Sequence, residues 1–206
     1  MHTVVAGGVG AARYLRGAVA ALDPSSITAI VNVGDDVIMH GLHVSPDLDT
    51  CTYTLAGAID PERGWGLVDE SWQAMAQLGR YGGDHWFGPG DRDPGTHLFR
   101  TTRLSEGASL TEVTAEISAT WGLGCTLLPI TDDRLETRVT IEGGSEINFQ
   151  EYFVRLAHNV AVSAVTFAGA DQAQPTSEAI AAITDADSLV IAPSNPIVSI
   201  GPILAV

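Results

Sequence analysis

Four aspartates crowd residues 31–50: Asp35 and Asp36 follow Gly34, and Asp47 and Asp49 follow on the far side of a loop carrying His40 and His43. Carboxylates this close repel one another unless water, hydrogen bonds or a cation stabilise them. Mg²⁺ suits such a site, because it takes oxygen ligands and keeps water and substrate phosphates in its remaining positions. Asp35, Asp36 and Asp47 are therefore candidate metal ligands. Each acid alone also reads as a turn or cap residue. All four together, directly after a buried strand, read as a site.

A second set could handle phosphate. Gly7, Gly8 and Gly10 sit between an apolar run at residues 2–6 and a helical pattern reaching about Leu22. Glycines let backbone N–H groups approach a phosphate, and a helix N-terminus favours the anion. The same turn would also serve simply to pack a helix on a sheet. As a dinucleotide fingerprint it is imperfect, since the position of the third small residue is Arg13. Arg13 either reaches a phosphate or is solvated.

The elements that must position these residues form an α/β pattern. Residues 27–33 read as a second strand, parallel to the first, and its end delivers Asn32, Asp35 and Asp36 to the edge where the glycine turn lies. Ligands of open α/β sheets bind at that carboxyl edge. A helix is expected over residues 49–58 with Asp49 near its cap, and others over 70–78 and 109–121, the last with Ser109 and Glu112 at capping-box spacing. Asp93 reads as an N-cap with Pro94 at the first helical position, which puts Arg92 and His97 at a helix start. Trp65, between two glycines, either stacks on a flat ligand or plugs the core. Residues 81–90 form a Gly- and aromatic-rich connection. Residues 137–149 read as a hairpin turning at Gly143-Gly144. Apolar strands at 160–167 and 188–192 flank a helix near 176–183, resuming the α/β pattern, and the last strand runs into Pro193-Ser194-Asn195-Pro196. The fold class is α/β: a Rossmann-like, doubly wound, mainly parallel sheet in one domain, with a helical and hairpin insertion at about residues 65–152.

The 206 residues carry 25 Asp plus Glu against 10 Arg and no Lys, a net charge of −15. Lysine-based phosphate or Schiff-base chemistry is excluded within this chain, and binding to nucleic acid or anionic membrane is disfavoured. Cys51 and Cys125 show neither metal spacing nor a disulfide framework, no signal peptide is read, and no apolar run approaches a membrane span, so a cytoplasmic protein is expected.

Together these motifs resemble one family. Ala6-Gly7-Gly8-Val9-Gly10, Asn32-Val33-Gly34-Asp35-Asp36, Ser45-Pro46-Asp47-Leu48-Asp49-Thr50, Gly90-Asp91-Arg92-Asp93, Thr96-His97 and Ser194-Asn195-Pro196 look like the 2-phospho-L-lactate transferase family, which includes the actinobacterial phosphoenolpyruvate transferases of coenzyme F-420 biosynthesis. Asp60-Pro61-Glu62-Arg63-Gly64-Trp65-Gly66 and Phe149-Gln150-Glu151 look like the actinobacterial branch. The resemblance implies Mg²⁺-dependent transfer of a 2-phospholactyl or phosphoenolpyruvyl group from a guanosine diphosphate-linked donor to the deazaflavin alcohol Fo, with release of GMP. It implies that Asp49 and Arg92 contact Fo, with Trp65 and His97 nearby, that Asp35 lies near the metal, and that Asp49, in preference to Asp36, is the catalytic acceptor of the hydroxyl proton. Asn195 and its loop, with Ser194, Asn32, Gly7, Gly8, Gly10 and Arg13, would face the nucleotide. It leaves a homodimer open. Because family members are longer, the chain is expected to be an incomplete domain at its C-terminus. From pattern alone, an NAD(P)-binding oxidoreductase and a non-catalytic nucleotide-binding module remain alternatives.

Overall fold

The computed structural model describes residues 1–83 and 86–206. The expected connection at residues 81–90 thus includes two positions, Asp84 and His85, that lie outside the described residues. In chain order the elements are β1 (His2–Ala6), α1 (Gly8–Ala21), β2 (Ile27–Val31), β3 (Val37–Met39), β4 (Leu42–Val44), α2 (Pro46–Leu55), α3 (Gln73–Arg80), α4 (Asp93–Ser105), α5 (Leu110–Thr120), β5 (Thr126–Pro129), β6 (Glu136–Ile141), β7 (Glu146–Asn148), β8 (Val162–Ala168), α6 (Ser177–Thr184), β9 (Ser188–Ile191) and α7 (Gly201–Ala205).

A parallel sheet in the order β5-β2-β1-β9 forms the centre. Every residue of β2 is buried, as continuous apolar runs are when both faces of a parallel sheet are covered. Ala11, Ala12 and Leu15 bury one face of α1 against the core that Val4, Val5, Ile30 and Val31 build. α1 also packs against α2, which adds Leu48 and Cys51. The parallel fold follows the sequence pattern, and so does the cap of α5. Ser109 and Glu112 form the reciprocal capping box, and Thr176 caps α6 by accepting from the Ala179 N–H.

Three differences from the sequence expectations have physical reasons. First, β5 belongs to the central sheet, pairing in parallel with β2, so the stretch 65–152 contains a core strand. Its Leu-Leu-Pro-Ile run is short and reads equally as the start of the loop after it. Second, the strand at β8 joins an antiparallel sheet, β7-β6-β8, and not the parallel one. Ser163 and Thr166 interrupt its apolar run, which suits a sheet with one face in solvent. The expected hairpin at Gly143-Gly144 is present as β6 and β7, with φ of 95° and 84° at those glycines. Third, the loop between the two acid pairs is a hairpin, β3-β4, turning at His40 and Gly41 with φ of 53° and 79°. Positive φ at both central residues is the two-residue turn that matches strand twist.

The two sheets meet at the acidic loop. The Thr137 N–H donates to the Gly34 carbonyl at 2.6 Å, and a Cβ on Gly34 would fall 2.8 Å from Thr137 Oγ1 and 2.9 Å from Pro202 Cβ. Gly34 is required there because backbone and neighbours converge, not because of its φ.

Candidate functional site

The carboxyl ends of β1, β2 and β9 come together at one edge. β1 leads into the glycine turn, β2 into Asn32, and β9 into Pro193-Ser194-Asn195. The chain continues from β1 to β2 on one side, while β9 adds on the other, so the edge between β1 and β9 is the topological switch point where α/β folds bind ligands. A cleft of about 870 Å³ opens there, lined by the glycine turn, Asp35, Asp47, Asp49, His97, Trp65 and the Ser194 loop. Two glycines make this approach possible. Gly8 has φ 67°. A Cβ on Gly10 would sit 2.1 Å from the Pro193 carbonyl oxygen. Gly10→Ala is therefore expected to push the glycine turn and the β9 loop apart, lowering stability by about 2–3 kcal/mol and the melting temperature by roughly 5–10 °C in thermal denaturation. An unchanged melting temperature would show that the two loops do not pack this closely.

Asn32 organises the acids. It is fully buried. Its Nδ2 donates to Asp47 Oδ2 at 2.9 Å, and its Oδ1 accepts from the Gly34 N–H at 2.8 Å. α2 starts at Pro46, three residues before the expected start, and so carries both Asp47 and Asp49 in its first turn. Proline preset for the first helical turn explains the earlier start. Asp47 also lies beside Gly8: a Cβ there would be 3.4 Å from Asp47 Oδ1. Burial pushes the Asp47 carboxyl up to about 7, with the Asn32 and Gly8 hydrogen bonds opposing and the charge of Asp36 adding to the rise. Burial raises Asp35 well above the usual carboxylate range, and the charge of Asp47 raises it further. Asp35 Oδ1 is buried without a hydrogen-bond partner. Asp36 is different. Its Oδ2 accepts from Ser45 Oγ at 2.6 Å and lies 3.0 Å from His43 Nε2. It lies outside the cleft lining. Burial raises its carboxyl too, with the hydrogen bond from His43 opposing.

Asp49 lines the cleft but is paired from behind. Arg100, fully buried in α4, grips both its oxygens, through Nη1 at 3.2 Å and through a closer Nη2 contact. His97 Nδ1 is 3.5 Å from Asp49 Oδ2, and His97 Nε2 is 3.7 Å from Asp93 Oδ1. Tyr53 donates to Asp93 Oδ1 at 2.7 Å. Asp93 is thus the first residue of α4 with its carboxylate turned inward, not the expected N-cap. Burial works against its charge, but His97, Tyr53 and Arg100 hold the carboxyl below the usual range. Sequence reasoning missed Arg100 and Tyr53. A signal existed: Asp93, His97 and Arg100 recur at helical spacing on one face of α4.

The remaining expected residues divide. Trp65 lines the cleft, half-exposed, with the Arg63 guanidinium 5.2 Å from its ring and 4.7 Å from that of Trp72. Asp60 fixes that loop by accepting from the Glu62 and Arg63 backbones and from Arg63 Nε. Ser194 Oγ is buried without a partner and lines the cleft. Asn195 lines it as well, while its side chain accepts from the Ile197 and Val198 N–H groups. Arg13 and Arg92 are exposed and outside the lining. The Arg92 guanidinium donates to the Val68 carbonyl at 2.8 Å.

Among the described residues no group of three His, Cys, Asp or Glu side chains converges as a ready-made metal cage. Mg²⁺ does not need one. It is commonly held by one or two carboxylates, with substrate phosphates and water completing its sphere. The unpartnered oxygen of Asp35 and the proton-hungry carboxyl of Asp47, both facing the cleft, fit that arrangement.

The fold and this cleft define an α/β protein whose ligand site lies at the switch point of a parallel sheet. The family profile described as 2-phospho-L-lactate transferase CofD matches residues 3–206. The chain is 50% identical over 229 aligned residues to a phosphoenolpyruvate transferase of Mycobacterium avium (strain 104), covering 99% of this chain and 68% of that protein. It is 48% identical over 223 aligned residues to a phosphoenolpyruvate transferase of Mycobacterium tuberculosis (strain ATCC 25618 / H37Rv), covering 99% of this chain and 67% of that one. A crystal structure of a UPF0052 family member from Bacillus halodurans superposes with a TM-score of 0.66 at 22% identity, over 100% of this chain and 62% of that chain. That likeness supports the fold alone. The chain belongs to the 2-phospho-L-lactate transferase family and is on that ground a transferase, which sets aside the oxidoreductase reading of the glycine turn. Among the described residues no helix is long and apolar enough to cross a membrane.

Proposed function

We propose that the protein transfers a phosphoenolpyruvyl or 2-phospholactyl group from a guanosine diphosphate-linked donor to the terminal hydroxyl of the deazaflavin Fo, releasing GMP, in coenzyme F-420 biosynthesis. The names of the relatives favour the phosphoenolpyruvyl donor. The observation that carries the reading is the pair Asp35 and Asp47, buried carboxyls that line one cleft together with the glycine turn at the N-terminus of α1. Anionic diphosphate belongs at such a helix N-terminus, but two carboxylates beside it repel it unless a cation intervenes.

In this reading the Fo hydroxyl oxygen bonds to the phosphorus carrying the lactyl or enolpyruvyl group, the bond from that phosphorus to the bridging oxygen breaks so that the oxygen leaves with GMP, and the hydroxyl proton passes to a carboxylate in the cleft. Mg²⁺ held by Asp35 and Asp47 would supply charge neutralisation on the diphosphate. Asn32 fixes the orientation of Asp47. The Gly7, Gly8 and Gly10 backbone and the Ser194-Asn195 loop cradle the nucleotide phosphates. Asp49, oriented by Arg100 and His97, accepts the hydrogen bond of the Fo hydroxyl and is the proposed proton acceptor. Asp36, tied to His43 and Ser45, holds the loop that carries Asp35. Trp65 offers a flat face to Fo, whereas Arg92 would reach Fo only by leaving the Val68 carbonyl and is assigned the rim.

The test is GMP release that depends on donor, Fo and Mg²⁺ together. Asp35→Asn is expected to lower that turnover at least about a hundredfold while circular dichroism stays unchanged. Equal turnover by the variant at limiting Mg²⁺ would remove Asp35 from the site. Nucleotide binding without any GMP release would favour a binding module instead.

A further inference from the structure

One wall of the cleft has had no role so far. Phe149, Phe153 and His158 form a ladder of rings: Phe149 and Phe153 stack at 5.5 Å with planes 24° apart, and Phe153 and His158 at 5.2 Å with planes 21° apart. All three line the cleft, as does Tyr152. Rings recruited only to fill a core are buried, yet Phe153 is 50% exposed.

The backbone beneath is unusual at two adjoining places. Residues Glu151–Arg155 form a single π-helical turn, a rare form that recurs at functional sites. Ala157 and His158 then both have φ of 48°, a left-handed conformation that non-glycine residues hold only when surroundings enforce it. The turn is tied by the His158 N–H donating to the Tyr152 carbonyl at 3.0 Å. Glu151 and Arg155 pair with each other at 2.9 Å, so the charges of the turn satisfy one another and leave the ring face apolar. Strained backbone thus holds an imidazole stacked on the Phe153 ring, which stacks in turn on Phe149, along the cleft wall.

We infer that the Phe149-Phe153-His158 ladder is a stacking subsite for a flat heteroaromatic ring, with His158 as its outermost ring. Parallel rings with one exposed face select a planar π system over an aliphatic or lipid occupant. The inference rests on the same cleft as the proposed transfer, but it concerns ring binding and not turnover. Two ring sources fit the chemistry: a purine base and a flavin-like tricycle.

The test is equilibrium binding by intrinsic fluorescence or calorimetry, using guanosine diphosphate, riboflavin and inorganic diphosphate as three separate probes. Phe153→Leu and His158→Ala are each expected to weaken at least one ring-bearing probe about tenfold and to leave inorganic diphosphate unchanged. Phe153→Tyr should restore binding. Weakening of guanosine diphosphate alone assigns the ladder to the nucleotide base, and weakening of riboflavin alone to the flavin. Unchanged ring binding in both variants overturns the inference. So does equal weakening of all three probes, which would mean that the ladder only shapes the cleft. Ring binding that depends on the ladder in a protein without GMP release would leave the inference standing and defeat the transferase reading.

Discussion

Replacing Arg100 by Met is expected to destabilise the protein by about 3–5 kcal/mol, the largest single effect foreseen, read as a shift in the urea midpoint. Arg100 is 2% exposed, and it pairs with Asp49 through both guanidinium arms. Removing one partner of a buried pair leaves an uncompensated charge, which is far more damaging than losing the pair's own modest net stabilisation. A domain of this kind has only about 5–15 kcal/mol in total. Arg100→Lys keeps the charge but not the two-pronged geometry, so it should fall between wild type and Arg100→Met. The double variant Asp49→Asn with Arg100→Met should be markedly less damaged than the sum of the two singles, because each removes the other's penalty. Strict additivity would mean that Asp49 and Arg100 do not interact in the folded state. Arg100 also reaches the His43 carbonyl at 3.3 Å, so the same substitution removes a link between α4 and the β3-β4 hairpin.

The sequence shows the parallel core plainly, because β1, β2 and β9 are short, mainly apolar runs with turn residues after them. It shows the glycine turn and the acid pairs for the same reason: their residue types are out of place after a buried strand. What it hides is orientation. Asp35 and Asp36 are neighbours in sequence, yet one faces the cleft and the other turns to His43 and Ser45. No local pattern distinguishes them, since the outcome depends on where the β3-β4 hairpin folds back. That hairpin was itself legible in principle, since Val37-Ile38-Met39 and Leu42-His43-Val44 flank a two-residue His40-Gly41 turn.

Arg100 was hidden for another reason. Arginine is seldom buried, so pattern alone places it in solvent. Only the tertiary meeting of α4 with α2 supplies the carboxylate that makes burial tolerable. The ladder of Phe149, Phe153 and His158 has spacings of four and five that fit no single regular helix, and only the fold, through the turn at Ala157 and His158, brings the three rings together on one cleft wall. Trp65 remained ambiguous in sequence because its role depends on the Arg63 contact that presents it.

The metal-free protein is expected to lose stability as pH rises from about 4 to 7, by roughly a few kcal/mol from the interacting Asp35 and Asp47 carboxyls. The sign follows from proton binding. The unfolded Asp47 releases its proton near its ordinary value of 3.8, while the folded one holds it to about 7. Between these values the native state binds more protons, so raising the pH favours unfolding. The stabilising contribution is complete below the unfolded value and gone above the folded one. Asp35 shifts in the same direction, whereas Asp93, whose carboxyl is lowered, adds stability that disappears on acidification below that window. Asp47→Asn removes the titrating group and keeps an oxygen for Asn32 Nδ2. At pH 7.5 it should therefore be more stable than wild type by about 1–3 kcal/mol in the absence of divalent cations, and its stability should change less with pH. Millimolar Mg²⁺ should reverse the order, raising the wild-type melting temperature through binding to the native state while leaving that of the variant in place. Because the chain carries a net charge of −15, general repulsion also weakens the fold as pH rises, so the informative quantity is the difference in slope between the two proteins. Parallel pH profiles, with equal responses to Mg²⁺, would show that Asp47 is neither strained in the folded protein nor a seat for the cation.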